Sequence, residues 1–141
     1  MAVDLIVPFM PITLGLARAL VPLSSREEPE MTRYLISFDD GAMTFPKEEL
    51  PDVAEAAHAV MREAEDAGVW VFGGGLTSYK DVSVVATDGT VTDGPESKAY
   101  LGGFCVVDVP SREEALEWAA KVAVACRCAQ EVREFVPDPA V

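Results

Sequence analysis

The chain has 141 residues, half of them apolar and a quarter charged, with 24 acidic against 11 basic side chains and a formal net charge of −13. That length suits one domain with a core of its own, and the apolar share excludes a solvating, coreless polymer. The acidic excess leaves too few basic residues for the Lys/Arg-rich face of a duplex nucleic-acid binder and disfavours anionic membranes, so neither is expected as a partner.

The first thirty residues differ from the rest. Met1 to Leu23 is apolar and interrupted by Pro8, Pro11 and Pro22, and Ser24 to Glu30 reads as a polar linker. A secretory signal would start with basic residues, whereas Asp4 comes first. A membrane span needs about twenty uninterrupted apolar residues, and Arg18 and the prolines break this run. Three readings stay open for residues 1–30: an upstream start ahead of a natural Met31, a partner-binding or oligomer-stabilising arm, or a weak export signal. The first is favoured because a strand begins directly after Met31. Residues 31–141 form the domain and hold most of the acidic excess.

Arg33 to Phe38 is a β-branched and aromatic run closed by Asp39-Asp40-Gly41, the first predicted strand. Between Pro46 and Ala67, Leu50, Val53, Ala54, Ala57, Val60, Met61 and Ala64 recur at three- and four-residue steps, and Gly68 stands where a helix C-cap falls. Val69 to Phe72 is a second strand, stopped by Gly73-Gly74-Gly75. The segments around Val82–Thr87 and Val91–Thr92 flank Asp88-Gly89, a hairpin dipeptide. Gly103 to Val109 is strongly β-prone. Ser111 and Glu114 have capping-box spacing ahead of a helix with the stripe Ala115, Trp118, Ala119, Val122 and Cys126. A last strand is expected from Glu131 to Val136.

The order predicts an α+β fold, ferredoxin-like βαββαβ with an extra strand. Two helices cover one face of such a sheet. Alternation puts Phe104 and Val106 opposite Cys105, Val107 and Val109, and puts Trp70 and Phe72 opposite Val69 and Val71, so both faces read as apolar. A second copy is the economical cover for the open face, which predicts a homodimer.

The stretch Thr92-Asp93-Gly94-Pro95-Glu96-Ser97-Lys98, followed by Leu101-Gly102-Gly103-Phe104, resembles the TDGP…ESK…LGGF signature of the DGPF group within the YCII-related family. Met31-Thr32-Arg33-Tyr34-Leu35-Ile36, Asp66-Ala67-Gly68-Val69 and Val109-Pro110-Ser111-Arg112-Glu113-Glu114 agree with it, and the likeness runs from Met31 to about Val136. The resemblance implies a dimeric α/β barrel of two ferredoxin-like protomers packed sheet to sheet. It also implies a histidine on the first helix with an aspartate nearby. One branch of the family removes chloride from a chlorinated hydroquinone, and some DGPF members resemble partners or neighbours of extracytoplasmic-function sigma factors. Here Glu96 replaces the motif's aromatic residue, which would make a neighbouring cleft more open and more acidic.

His58 falls where the family's histidine would. Helical geometry sets it about 100° from the centre of the apolar stripe, at an edge where it could meet a cleft and act as a general base; the plain alternative is a partly exposed helix residue flanked by Glu55 and Arg62. Asp39 and Asp93 are the candidate carboxylate partners, with Asp40 beside the first and Asp66 too far along the helix. Asp93 also fits as a turn residue before Gly94-Pro95. Tyr79, Lys80, Lys98 and Tyr100 would line a pocket mouth or serve as ordinary loop residues.

Gly73-Gly74-Gly75 lacks a following helix and a neighbouring lysine, so it reads as a flexible strand exit rather than a phosphate loop. No G-x-S-x-G elbow is present. Cys105, Cys126 and Cys128 are odd in number, which fits a reduced, cytoplasmic setting. The Cys126-Arg127-Cys128 spacing is too tight for an ordinary zinc pair, so neither metal nor cofactor is expected. Three function classes remain: a homodimeric protein that binds a small organic molecule and uses His58 for proton transfer or elimination, a non-catalytic regulatory module in sigma-factor-linked stress transcription, and a structural scaffold without ligand.

Overall fold

A computed structural model describes residues 30–141; the extension and its proposed roles lie outside the described residues. The elements are β1 (Thr32–Asp39), α1 (Leu50–Asp66), β2 (Trp70–Gly75), β3 (Ser83–Val85), β4 (Val91–Asp93), β5 (Leu101–Val109), α2 (Arg112–Cys126) and β6 (Glu131–Glu134). The main sheet is antiparallel with order β2-β5-β1-β6. Setting aside the β3–β4 hairpin, this is the strand order and connectivity of a ferredoxin-like βαββαβ fold. The additional strand material is that hairpin, a separate two-stranded sheet inserted between β2 and β5, not a further terminal strand of the main sheet.

Local chemistry sets the element ends. Gly68, with φ of 77°, turns the chain out of α1 into β2, and Gly89, with φ of 91°, closes the β3–β4 turn. The Ser111 side chain accepts a hydrogen bond from the Glu114 amide at the start of α2. That helix ends at Arg127, a non-glycine residue in the left-handed region, whose guanidinium pairs with Glu49 and lies over Phe45. Last, β6 stops at Glu134 rather than Val136, leaving Val136 exposed.

Both helices cover one face of the sheet. On that face Tyr34 stands opposite Val107 and Ile36 opposite Cys105, all four buried together with Val109, Ala115 and Ala119. Small alanines let α2 lie close to the strands, with Trp118 and Val122 packed against the core. The predicted α1 stripe holds except at its first member, Leu50, which is exposed at the N-terminus.

The other face carries Leu35 opposite Val106 and Ser37 opposite Phe104. Phe72 joins it, 63 % exposed, with its ring centroid 6.2 Å from that of Phe104. Trp70 does not, contrary to the simple alternation. A bulge at Val71 shifts the register, so that Trp70 pairs with Val107 while Phe72 pairs with Val106. One extra residue thus sends Trp70 to the helix side and Phe72 to the open side.

Candidate functional site

The glycine run is part of β2, not an exit from it. Gly73, Gly74 and Gly75 pair with Cys105, Phe104 and Gly103. A methyl group on Gly73 would sit 2.6 Å from the Phe104 carbonyl oxygen, so the close approach of the two strands needs glycine there. Gly73 and Gly75 share the helix-facing side with Trp70 and offer no side chain to the layer beneath α1. That under-filled layer is a cavity of about 390 Å³.

Ile36 and Cys105 on the sheet line the cavity, with Ala57, His58 and Met61 on α1. Cys126, at the end of α2, and Gln130, just beyond it, also line it. His58 is itself exposed, so it stands at the rim. Beside it on α1, Arg62 and Glu55 pair at 3.4 Å along the outer surface. A wider groove of about 620 Å³ runs over Ala56, Ala59, Ala120 and Val124 between the helices and holds neither histidine nor cysteine.

The two cavity thiols are held in their neutral form. Burial, reinforced by Cys126 nearby, pushes the Cys105 thiol up to about 11. Burial also raises Cys126, with Cys128 adding to the effect. A thiol is nucleophilic as its thiolate, so these sulfurs behave as apolar wall. Among the described residues, no group of three or more His, Cys, Asp or Glu is placed to hold a metal ion.

The candidate carboxylates stand elsewhere. Asp39 is exposed at the end of β1 and Asp93 is exposed at the end of β4, and neither lines the cavity. Asp40 accepts a hydrogen bond from the Tyr79 amide at 2.6 Å, tying its loop to the turn after β2. Glu96 is exposed and also absent from the wall, so this cavity does not acquire the acidic character expected of a cleft beside the motif.

The Asp93-Gly94-Pro95 loop has a packing role. The Tyr100 hydroxyl donates to the Pro95 carbonyl at 2.9 Å, and a methyl on Gly94 would run into that same hydroxyl. Tyr79 stacks on Tyr100 with centroids 6.1 Å apart, and Lys98 Nζ lies 4.8 Å from the Tyr100 ring centre. These residues, with Lys80, build a loop cluster rather than a mouth for the cavity. Gln130 went unnoticed in the sequence, and nothing about a lone glutamine after a helix would have marked it.

A family model described as the YCII-related domain matches residues 32–137. The crystal structure of a protein of unknown function from Rhodopseudomonas palustris is similar at 10 % sequence identity, covering 90 % of this chain and 94 % of that one with a TM-score of 0.39. Curated proteins give no match.

Proposed function

Because the chain belongs to the YCII-related domain family, we propose that it is a homodimeric small-molecule-binding protein whose His58 assists proton transfer or elimination on a ligand held beneath α1. The DGP…LGGF stretch aligns it with the DGPF group of that family. The observation that carries the reading is the histidine at the rim of a largely apolar cavity. An imidazole there can take a proton from a bound molecule and return it to solvent or to a leaving group, while the apolar wall keeps water from competing. Asp39 and Asp93 remain proposed partners only if loop movement or a second protomer brings a carboxylate to the rim. The apolar open face of the sheet supports the dimeric barrel, and the free thiols of Cys105, Cys126 and Cys128 fit a reduced, cytoplasmic setting.

Among the described residues no carboxylate lines the cavity, which is the observation behind a second reading, a ligand-binding regulatory module without catalysis, in the sigma-factor-linked setting of some relatives. Metabolite extracts incubated with wild type and His58→Ala separate the two. For an enzyme, wild type converts a retained compound and His58→Ala binds it while turnover falls at least about 100-fold. Retention without conversion by either protein supports the regulatory reading. Equal turnover by both removes His58 from the chemistry.

A further inference from the structure

Gly75 is a glycine that the fold itself does not require. It ends β2, yet the ladder continues past it, with the Leu76 amide donating to the Gly102 carbonyl at 2.9 Å. Its φ lies outside the left-handed region that Gly41, Gly68 and Gly89 occupy. The register shift of β2 falls earlier, at Val71, and a methyl group at position 75 would meet nothing within 4 Å. Glycine weakens a strand, and its usual reasons are a bulge, a bend, or a close approach by backbone or ligand. With bulge, positive φ and backbone approach excluded at position 75, a ligand is the reason left.

The register shows where that space lies. Residues directly opposite one another in an antiparallel pair share a face. Gly75 stands opposite Gly103, and Gly103 opposite Phe38. The Phe38 ring covers Gly103, since a methyl there would sit 2.7 Å from Phe38 Cζ. Position 75 therefore projects to the side that carries Phe38, and both residues line the cavity. The ring stops short of Gly75, whose missing side chain leaves a bare length of backbone beside it. Gly74, equally free of contacts, faces the open side of the sheet, where a second copy is expected.

Resting on the reading that this cavity binds a small molecule, we infer that the ligand occupies the side-chain space of Gly75, against the Phe38 ring, and that residue 75 sets the largest ligand admitted. The wall contains no lysine, arginine, aspartate or glutamate, so an ion would give up its hydration without meeting a counter-charge. The class that fits is an uncharged molecule whose flat apolar part rests on the β2 backbone. Gly75 determines specificity by size and takes no part in proton transfer.

Phenol and 2-naphthol carry the same hydroxyl and are uncharged at neutral pH, and 2-naphthol has one more fused ring. Calorimetric titration of the full chain with each probe compares wild type, Gly75→Ala and Gly75→Val. Valine is favoured in strands and its Cβ meets no neighbour, so Gly75→Val is expected to keep the wild-type far-ultraviolet circular dichroism. In that variant the affinity for 2-naphthol falls at least about tenfold, as expected for overfilling a packed site, while phenol binding changes by less than about twofold. Gly75→Ala gives an intermediate loss for 2-naphthol and decides the matter if the valine variant does not fold. Amide NMR shifts at Gly73 and Cys105 place both probes in this cavity. Unchanged affinity for both probes, or an equal loss for both, overturns the assignment of residue 75 and leaves the cavity reading intact. Failure of wild type to bind either probe, or shifts confined to Ala120 and Val124 in the outer groove, overturns this inference together with the cavity reading.

Discussion

Cys105 shows how one side chain connects the core to the site. It is buried on β5, opposite Ile36 and Gly73, and forms part of the cavity wall. Its thiol is pushed up to about 11, chiefly by burial, from an ordinary value of 9.0. The folded state therefore holds this proton more tightly than the unfolded chain does. Its contribution is fully present below about pH 9 and is lost as pH rises through 11, at most about 2–3 kcal/mol for a shift of this size. Urea unfolding of the wild type at pH 8 and pH 10.5 should thus show a marked alkaline loss of stability. Cys105→Ala should start lower at pH 8, because it leaves a cavity, yet lose less between the two pH values. An equal alkaline loss in both proteins would show that the buried thiol is not its source. The same burial keeps the Cys105 thiol protonated in the cavity wall at neutral pH.

At the scale of elements, β2 decides both the cavity and the limits of sequence reading. Helices α1 and α2 were legible because their stripes repeat over many residues, and Ser111 marks the start of α2 by its side chain alone. The β2 register was not legible, since one bulged residue at Val71 reverses every later side chain. Three glycines add no apolar alternation from which a strand could be recognised, so they read as a break. His58 was legible from its angle on α1, whereas the places of Asp39, Asp40 and Asp93 depend on tertiary contacts such as Asp40 with Tyr79, which local patterning does not encode. The glycines also make distinct predictions. Gly73→Ala must force β2 and β5 apart against the Phe104 carbonyl and is expected to cost about 1–3 kcal/mol. Gly75→Ala, on the same side with nothing within 4 Å of the added methyl, should be near neutral. Thermal or urea unfolding of the pair checks this, and equal effects would remove the close strand approach as the reason for glycine at 73.

The whole molecule distributes its charge in a way that bears on association. The acidic side chains of the helical layer, among them Asp52, Glu55, Glu65, Glu113 and Glu117, are exposed on α1 and α2. The open sheet face instead combines Leu35, Phe72, Phe104 and Val106 with charges of both signs, Arg33 opposite Asp108 and Arg133 near Glu131. Packing two such faces together buries apolar surface and leaves both acidic layers pointing outward, so the net charge of −13 opposes the contact weakly. Packing through the helices would set like charges against each other. Light scattering behind size exclusion should therefore give twice the 15.1 kDa chain mass at micromolar concentration. Phe72 is mostly exposed in the single chain, so Phe72→Glu should fold normally, with unchanged far-ultraviolet circular dichroism, while placing a buried carboxylate in each half of the interface. It is expected to weaken the dimer at least about 100-fold, a cost of roughly 3 kcal/mol for an unpaired buried charge. A monomeric wild type, or a dimer unaffected by Phe72→Glu, would show that the open face is not where two copies meet.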